Sequence, residues 1–175
     1  MLQKTGPAQG SPYIRGFTGF RNLMLIDGIR LNNSTFRDGP NQYWATIDSQ
    51  ALDRLELVRG PGSVLYGSDA IGGTVNAIPK SRAAYGPGSG WDARTFYRFS
   101  SAEDSHTGRA EFAGNAGEKL GFNIGGTVRN FGDLKGGDDV GTMPRTAYDE
   151  LAADGRFEWL VDKNSSLVFG HQTMA

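Results

Sequence analysis

The residues best suited to chemistry gather in one loop. Between Asn32 and Trp44 the chain sets amides, an arginine and amphipathic rings among turn formers, a mixture that supplies directed hydrogen bonds together with broad contact area. Arg37 offers a fixed fork of donors for a carboxylate or phosphate, and Asn41 both donates and accepts. Tyr43 and Trp44 add flat apolar area with a polar tip. These four are the candidate ligand contacts; a packed surface loop is the alternative.

Other chemistries fail on spacing. Gly62-Ser63-Val64-Leu65-Tyr66-Gly67 has the glycines of a phosphate-binding loop, but Ser68 and Asp69 stand where that loop needs Lys and then Ser or Thr. An aspartate there repels phosphate. The acidic stretch from Gly132 to Asp154 sets Asp133, Asp138, Asp139, Asp149, Glu150 and Asp154 against Lys135 and Arg145. It lacks the EF-hand spacing, so a solvated loop is the expectation rather than a Ca²⁺ site. His106 and His171 have no partner at a metal-ligand spacing. Neither a Ser/His/Asp set nor a carboxylate pair is present, so no enzyme activity and no cofactor are expected.

The elements that position the loop are readable. Leu23-Met24-Leu25-Ile26 and Ile29-Arg30-Leu31 flank Asp27-Gly28, a strong hairpin signal because both turn residues tolerate positive φ. Residues 1–12 carry no periodicity and are predicted as loop; Tyr13-Ile14-Arg15-Gly16-Phe17 is predicted as a short strand. After the loop, Asp48 or Ser49 caps a helical turn, and the stretch Leu55 to Ile78 organises the region. It opens as a strand through Arg59, breaks at Gly60-Pro61-Gly62, makes one apolar turn, and returns through a glycine-dense bend to a strand from Thr74 to Ile78. Glu56 and Arg59 differ by three and point to opposite faces of that strand, so each needs a partner elsewhere.

Lys80 to Gly90 reads as a linker, and beyond it the pattern changes. Trp91, Ala93, Thr95, Tyr97 and Phe99 alternate with Asp92, Arg94, Phe96, Arg98 and Ser100. The same dyad period recurs through Gly108–Asn115, Leu120–Arg129 and Arg156–Asp162, and begins again at Leu167. Segments of about ten residues with that period fit strands tilted across a bilayer. The brief connections Ala116-Gly117-Glu118 and Lys163-Asn164-Ser165 contrast with the long one from Gly132 to Asp154, and Ala102–His106 is of modest length.

Bulk properties agree. The chain has 175 residues, 26 of them Gly, no Cys and a formal net charge of -1. Absence of Cys excludes a disulfide scaffold and a thiolate metal site, and near-neutral charge argues against a nucleic-acid partner. The longest strongly apolar run, Leu23–Ile26, is far short of a membrane-spanning helix.

The stretch Leu55–Ile78, with Tyr13-Ile14-Arg15-Gly16-Phe17 and Leu25-Ile26-Asp27-Gly28-Ile29-Arg30-Leu31 before it, resembles the plug domain of TonB-dependent outer-membrane receptors, in the family's motif order. The resemblance covers roughly residues 13–80. It implies a mostly β protein of the bacterial outer membrane. Residues 1–80 would be a plug, a small mixed β-sheet with short helices; 81–90 a linker; and 91–175 about five antiparallel strands of an incomplete transmembrane β-barrel. The chain then reads as an internal fragment without a signal core or a TonB box.

By the same resemblance, Asn32–Trp44 is a plug apex facing the ligand. Arg15, Glu56 and Arg59 are sites of plug–barrel ion pairing, Arg15 otherwise being an exposed strand arginine. The implied partners are TonB, outer-membrane lipid and a small nutrient ligand such as a ferric siderophore, haem or a cobalamin. A soluble β-rich binding or adhesion protein is the alternative. It needs a further layer over Trp91, Tyr97, Phe99, Phe112, Phe122, Ile124, Phe157 and Trp159, and the sequence offers no helices or second sheet to supply one.

Overall fold

The computed structural model describes residues 2–6, 9–33, 35, 39, 43–81 and 90–175. It divides into two compact units, Met1–Pro79 and Lys80–Ala175.

The first unit opens differently from the sequence expectation. Leu2–Gly6 (β1) and Gln9–Pro12 (β2) pair antiparallel, with a register shift between Gln3 and Gly6, where loop was predicted. The two segments are short and hold Gly6, Gly10 and Pro12, so the sequence has no dyad period there to read. Tyr13–Phe17 is in turn a tight turn, not a strand. Ile14 and Phe17 exchange both backbone hydrogen bonds at 3.0 Å, and Arg15 and Gly16 between them take φ +50° and +83°. Two successive positive φ values suit a two-residue turn and exclude extended backbone.

Asn22–Ile26 (β3) turns at Asp27-Gly28, φ +52° and +79°, into Ile29–Arg30 (β4), as the dipeptide predicted. Leu52–Arg59 (β5) leads to the single helical turn Ser63–Tyr66 (α1), which Gly67 ends at φ +80°. Gly73–Pro79 (β6) follows, and the sheet runs β4-β3-β6-β5. β6 is the hub, parallel to β3 and antiparallel to β5. Because β3 lies inside the sheet and is covered on both faces, its apolar run is continuous rather than alternating. Leu23, Met24 and Leu25 are buried, each contributing about 1.5–3 kcal/mol. Asp48 caps the 3₁₀ turn Ser49–Ala51, accepting from the Gln50 N–H at 2.9 Å.

The bend before β6 closes on β3's start. Gly60 N–H donates to Gly72 O at 2.9 Å, and Gly72 N–H to Arg21 O at 2.8 Å. A Cβ on Gly72 would strike the buried Asn22 Oδ1 and Phe17 Cβ. Glycine is required there by space.

The second unit is one open antiparallel sheet. Gly90–Ser100 (β7), Ser105–Ala116 (β8) and Leu120–Phe131 (β9) are followed by the small hairpin Leu134–Lys135 (β10) and Thr142–Met143 (β11), then Tyr148–Asp162 (β12) and Ser165–Met174 (β13). The order is β13-β12-β9-β8-β7. The connections 117–119 and 163–164 are short, and 132–147 is long. Three expectations need correcting. His106 stands in β8 rather than in a loop, and the expected loop contains its own hairpin. That loop also ends at residue 147, so Asp149, Glu150 and Asp154 are strand residues. The reason lies across the sheet: Glu150 pairs with Arg129 at 3.0 Å and Asp154 with Arg109 at 2.7 Å, so these acids answer strand arginines rather than solvent.

Arg109 is the knot of the charged face. Its side chain is 2% exposed; Nη1 and Nη2 grip Asp154 at 2.7 and 3.1 Å, Nη1 also reaches Thr127 Oγ1 at 3.1 Å, and Nε donates to Glu111 at 3.0 Å. Lys80 Nζ reaches the same Glu111 oxygen at 2.6 Å. The guanidinium lies where a Cβ of Gly125 would be. Arg109→Ala leaves buried acids without their counter-charge and is expected to cost about 3–5 kcal/mol, read as a fall in the denaturant midpoint. Gly125→Ala should lower it in the same direction by evicting the guanidinium. An unchanged midpoint in both variants would refute the role given to this network.

Candidate functional site

Of the four predicted ligand contacts, Arg37 and Asn41 lie outside the described residues. Tyr43 and Trp44 stand side by side on a 3₁₀ turn, Tyr43–Thr46, both half-buried. Regular structure thus resumes earlier than Asp48, where the sequence placed it. Thr46 Oγ1 closes the turn on Tyr43 O at 2.7 Å, and Ile47 N–H donates to Trp44 O at 3.3 Å. The turn lies close to β2, the strand missed in the sequence.

The loop's entry is fixed equally firmly. Asn32 is buried; its Oδ1 accepts from Met24 N–H at 2.9 Å and its Nδ2 donates to Asn22 O at 3.0 Å. Arg30, just before it, grips the bend after α1 through Ser68 and Asp69. The buried Asn32 and the Arg30–Asp69 pair were not singled out from sequence. Their signal was slight: an asparagine inside a polar loop, and an aspartate noted only for its misfit to a phosphate loop.

Arg15, Glu56 and Arg59 are all exposed. The Arg15 guanidinium lies over Gly60, its Nη1 3.3 Å from the place of a Cβ there, which brings it to the residue next to Arg59. Glu56 accepts from Arg54 Nε at 2.9 Å, on its own strand face, and from Asn76 Nδ2 at 3.4 Å. Glu56, and then Asp53, push the Arg54 guanidinium above its ordinary value.

In the second unit the two faces have different fates. Arg109, Glu111, Asp154, Arg129 and Glu150 share one face and neutralise one another. The other is bare: Trp91, Tyr97, Val128, Leu151, Trp159 and Phe169 are exposed, and no layer covers them among the described residues. Rings mark both ends of this face. Trp91, Phe112 and Phe122 follow one another at 5.5 Å across β7, β8 and β9 toward the short turns. Tyr97, Phe99 and His106 cluster toward the other end, with Tyr97 Oη 2.7 Å from His106 Nδ1. Aromatic girdles flanking an apolar band belong to transmembrane β-barrels. No group of three or more His, Asp or Glu suited to a metal occurs among the described residues.

The family model for the TonB-dependent Receptor Plug Domain matches residues 2–74. Over that stretch the chain resembles the plug of TonB-dependent receptors. It is 35% identical over 120 residues to the vitamin B12 transporter BtuB of Vibrio vulnificus (strain CMCP6), covering 65% of this chain and 19% of that protein. Among solved structures it resembles the copper transporter OprC with a TM-score of 0.79 and 20% identity, over 99% of this chain and 26% of that one. It also resembles the pyoverdine outer membrane receptor FpvA from Pseudomonas aeruginosa PAO1, bound to pyoverdine, with a TM-score of 0.74 and 18% identity, over 99% of this chain and 23% of that one. At those identities the two structures bear on the fold alone. The proteins it resembles are transporters and receptors, and the chain spans about a fifth to a quarter of their length.

In transmembrane β-barrels long connections lie outside and short ones on the periplasmic side; residues 132–147 form the long connection of this sheet. Asp133 organises that connection: its Oδ1 accepts from the N–H groups of Thr146 and Ala147 at 2.8 and 2.9 Å. These bonds, Thr146 first, hold its carboxyl below the ordinary carboxylate value. A depressed folded value means the stabilisation is full above the unfolded pKa, about 4, and is lost as pH falls through the folded one. Limited proteolysis of the complete protein should therefore spare residues 132–147 at pH 7 and pH 5 and begin to cut them only below about pH 4. Asp133→Ala should make them labile throughout; resistance of that variant at neutral pH would dismiss the carboxylate as organiser.

Proposed function

We propose that this chain supplies the ligand-facing and wall-forming parts of a receptor that binds a scarce nutrient outside the cell, of the ferric siderophore, haem or cobalamin type, and imports it into the periplasm with energy passed by TonB. The observation that carries the reading is a plug-family sheet joined in one chain to strands with a bare, aromatic-flanked apolar face. That face suits outer-membrane lipid as its solvent. The alternative, a soluble β-rich protein, would need the same face covered.

Asn32–Trp44 is the ligand apex in this reading. Arg37, Asn41, Tyr43 and Trp44 make the contacts, Tyr43 and Trp44 being half-buried rings on a single turn. Arg15, Glu56 and Arg59 serve plug–barrel ion pairing, with carboxylates of the barrel interior answering the arginines. Such pairs fix register while staying breakable, because their Coulomb gain is nearly offset by desolvation. The B12 transporter relative makes cyanocobalamin the first ligand to try, followed by haemin and ferric siderophores.

The test is equilibrium binding of those ligands to the complete receptor, with the amount of folded receptor in the membrane measured in parallel. Alanine at any true anchor among the four positions should weaken binding by about 1–3 kcal/mol, roughly six- to 150-fold, without lowering that amount. Wild-type affinity in all four variants would leave the loop as packing. Arg59→Ala should raise plug hydrogen exchange, and unchanged protection would remove its ion-pairing role.

A further inference from the structure

Asp69 joins two runs of the first unit that are far apart in sequence. Its Oδ2 accepts from Arg30 Nη1 at 3.0 Å and from Asn32 Nδ2 at 3.4 Å. Arg30 goes further than the carboxylate: Nη1 also donates to Ser68 Oγ at 3.1 Å, and Nη2 donates to Ser68 O at 2.8 Å and Tyr66 O at 3.3 Å. One planar fork thus holds the corner 66–69 by side chain and by backbone together, a geometry that a lysine cannot reproduce.

The corner is shaped to receive that fork. Asp69 takes φ +74° and Gly67 φ +80°, left-handed conformations that turn the carbonyls and the carboxylate toward one donor. A positive φ on a residue other than glycine is kept where the surroundings over-determine it, and here Arg30 and Asn32 do so. On the opposite side Asn32 is fastened to β3 through Met24 N–H and Asn22 O. The start of the Asn32–Trp44 loop therefore has two attachments, one to the sheet and one to the bend.

The geometry assigns Arg30 and Asp69 a positioning role: a latch that makes the base of the Asn32–Trp44 loop and the bend 66–72 move as one body. A push on the loop's base reaches α1, whose Val64 and Leu65 are 100% and 83% exposed, through Arg30 on the edge strand β4 and without passing through β3, β6 or β5. Arg30 and Asp69 are themselves partly exposed, at 36% and 22% of their side-chain surface. Ion pairs so placed contribute little to global stability, so the latch acts on local coupling and its removal leaves the unit folded. Its use in reporting ligand rests on the apex reading proposed above; its mechanical role does not.

Spin labels on Thr35→Cys and Ser63→Cys in the complete receptor read the latch directly, since both positions are exposed. The interlabel distance should be a single narrow distribution in the parent, at least twice as broad in Arg30→Ala, and again broad in Arg30→Lys, which keeps the charge but loses the fork. Asp69→Asn, which tolerates the same backbone and keeps an acceptor, should restore most of the parent width. Hydrogen exchange of Leu52–Arg59 should match the parent in every variant, showing that the sheet persists. Should Arg30→Ala fail to assemble, Arg30→Lys decides alone. A parent-like width in the arginine variants overturns the latch, even if Trp44→Ala weakens ligand binding. A broadened width with full affinity in the alanine variants of Arg37, Asn41, Tyr43 and Trp44 alike keeps the latch and sinks the apex instead.

Discussion

Hydrocarbon offers no hydrogen-bond partner, so a sheet that faces it must satisfy its backbone internally and keep its charges on the other side. The five-stranded sheet obeys the second demand, and the first everywhere but along the outer edges of β7 and β13, which lie open. Its ladders run with few interruptions between Gly90 and Met174, and the ion pairs of Arg94, Arg109 and Arg129 with Glu111, Asp154 and Glu150 lie on one face. Arg109 shows what that costs in sequence. A guanidinium 2% exposed needs two carboxylates, a hydroxyl and the bare backbone of Gly125 to lie flat. Four residues on three strands are thereby committed to a single side chain.

The first unit answers a different demand, that of turning sharply while staying packed. Its corners are built on pairs with positive φ, Arg15-Gly16 and Asp27-Gly28, and on glycines whose absent Cβ leaves room for a neighbour, as Gly72 does for Asn22. Buried amides then do the work that a larger apolar core would do elsewhere. Asn22 and Asn32 bridge backbone groups of adjacent segments, each such bond contributing about 1 kcal/mol net but costing more if left unmade. The unit is held by specific polar contacts around a small core, which suits a domain that must present loops in fixed places.

How much of this could be read beforehand divides along physical lines. Dyad alternation announced the second unit, because side chains on opposite faces meet opposite media. Asp27-Gly28 announced its hairpin through a backbone preference intrinsic to the dipeptide. What escaped were strands too short and glycine-rich to show a period, β1 with β2, and features made by partners distant in sequence. Glu150 and Asp154 looked like loop acids because their arginines, 129 and 109, lie on other strands. Arg15 looked like a strand residue because a left-handed arginine has no local signature. In the loop, Tyr43 and Trp44 were legible as chemistry but their 3₁₀ turn was not, since β2, close to which it lies, had itself gone unseen.

The two kinds of charge in this chain imply a division of labour. Arg109 is buried, multiply held and surrounded by other strands; losing any contact strands a neighbour, so its contribution is to architecture. Arg30 makes a comparable number of contacts yet sits at the surface, where water competes for every one and the net stabilisation is small. A contact set of that geometry with so little energetic return is inefficient as a brace. It is well suited to alignment, because it specifies one arrangement of loop base and bend while leaving the alternative within thermal reach, which is the condition under which a small binding event can shift a population.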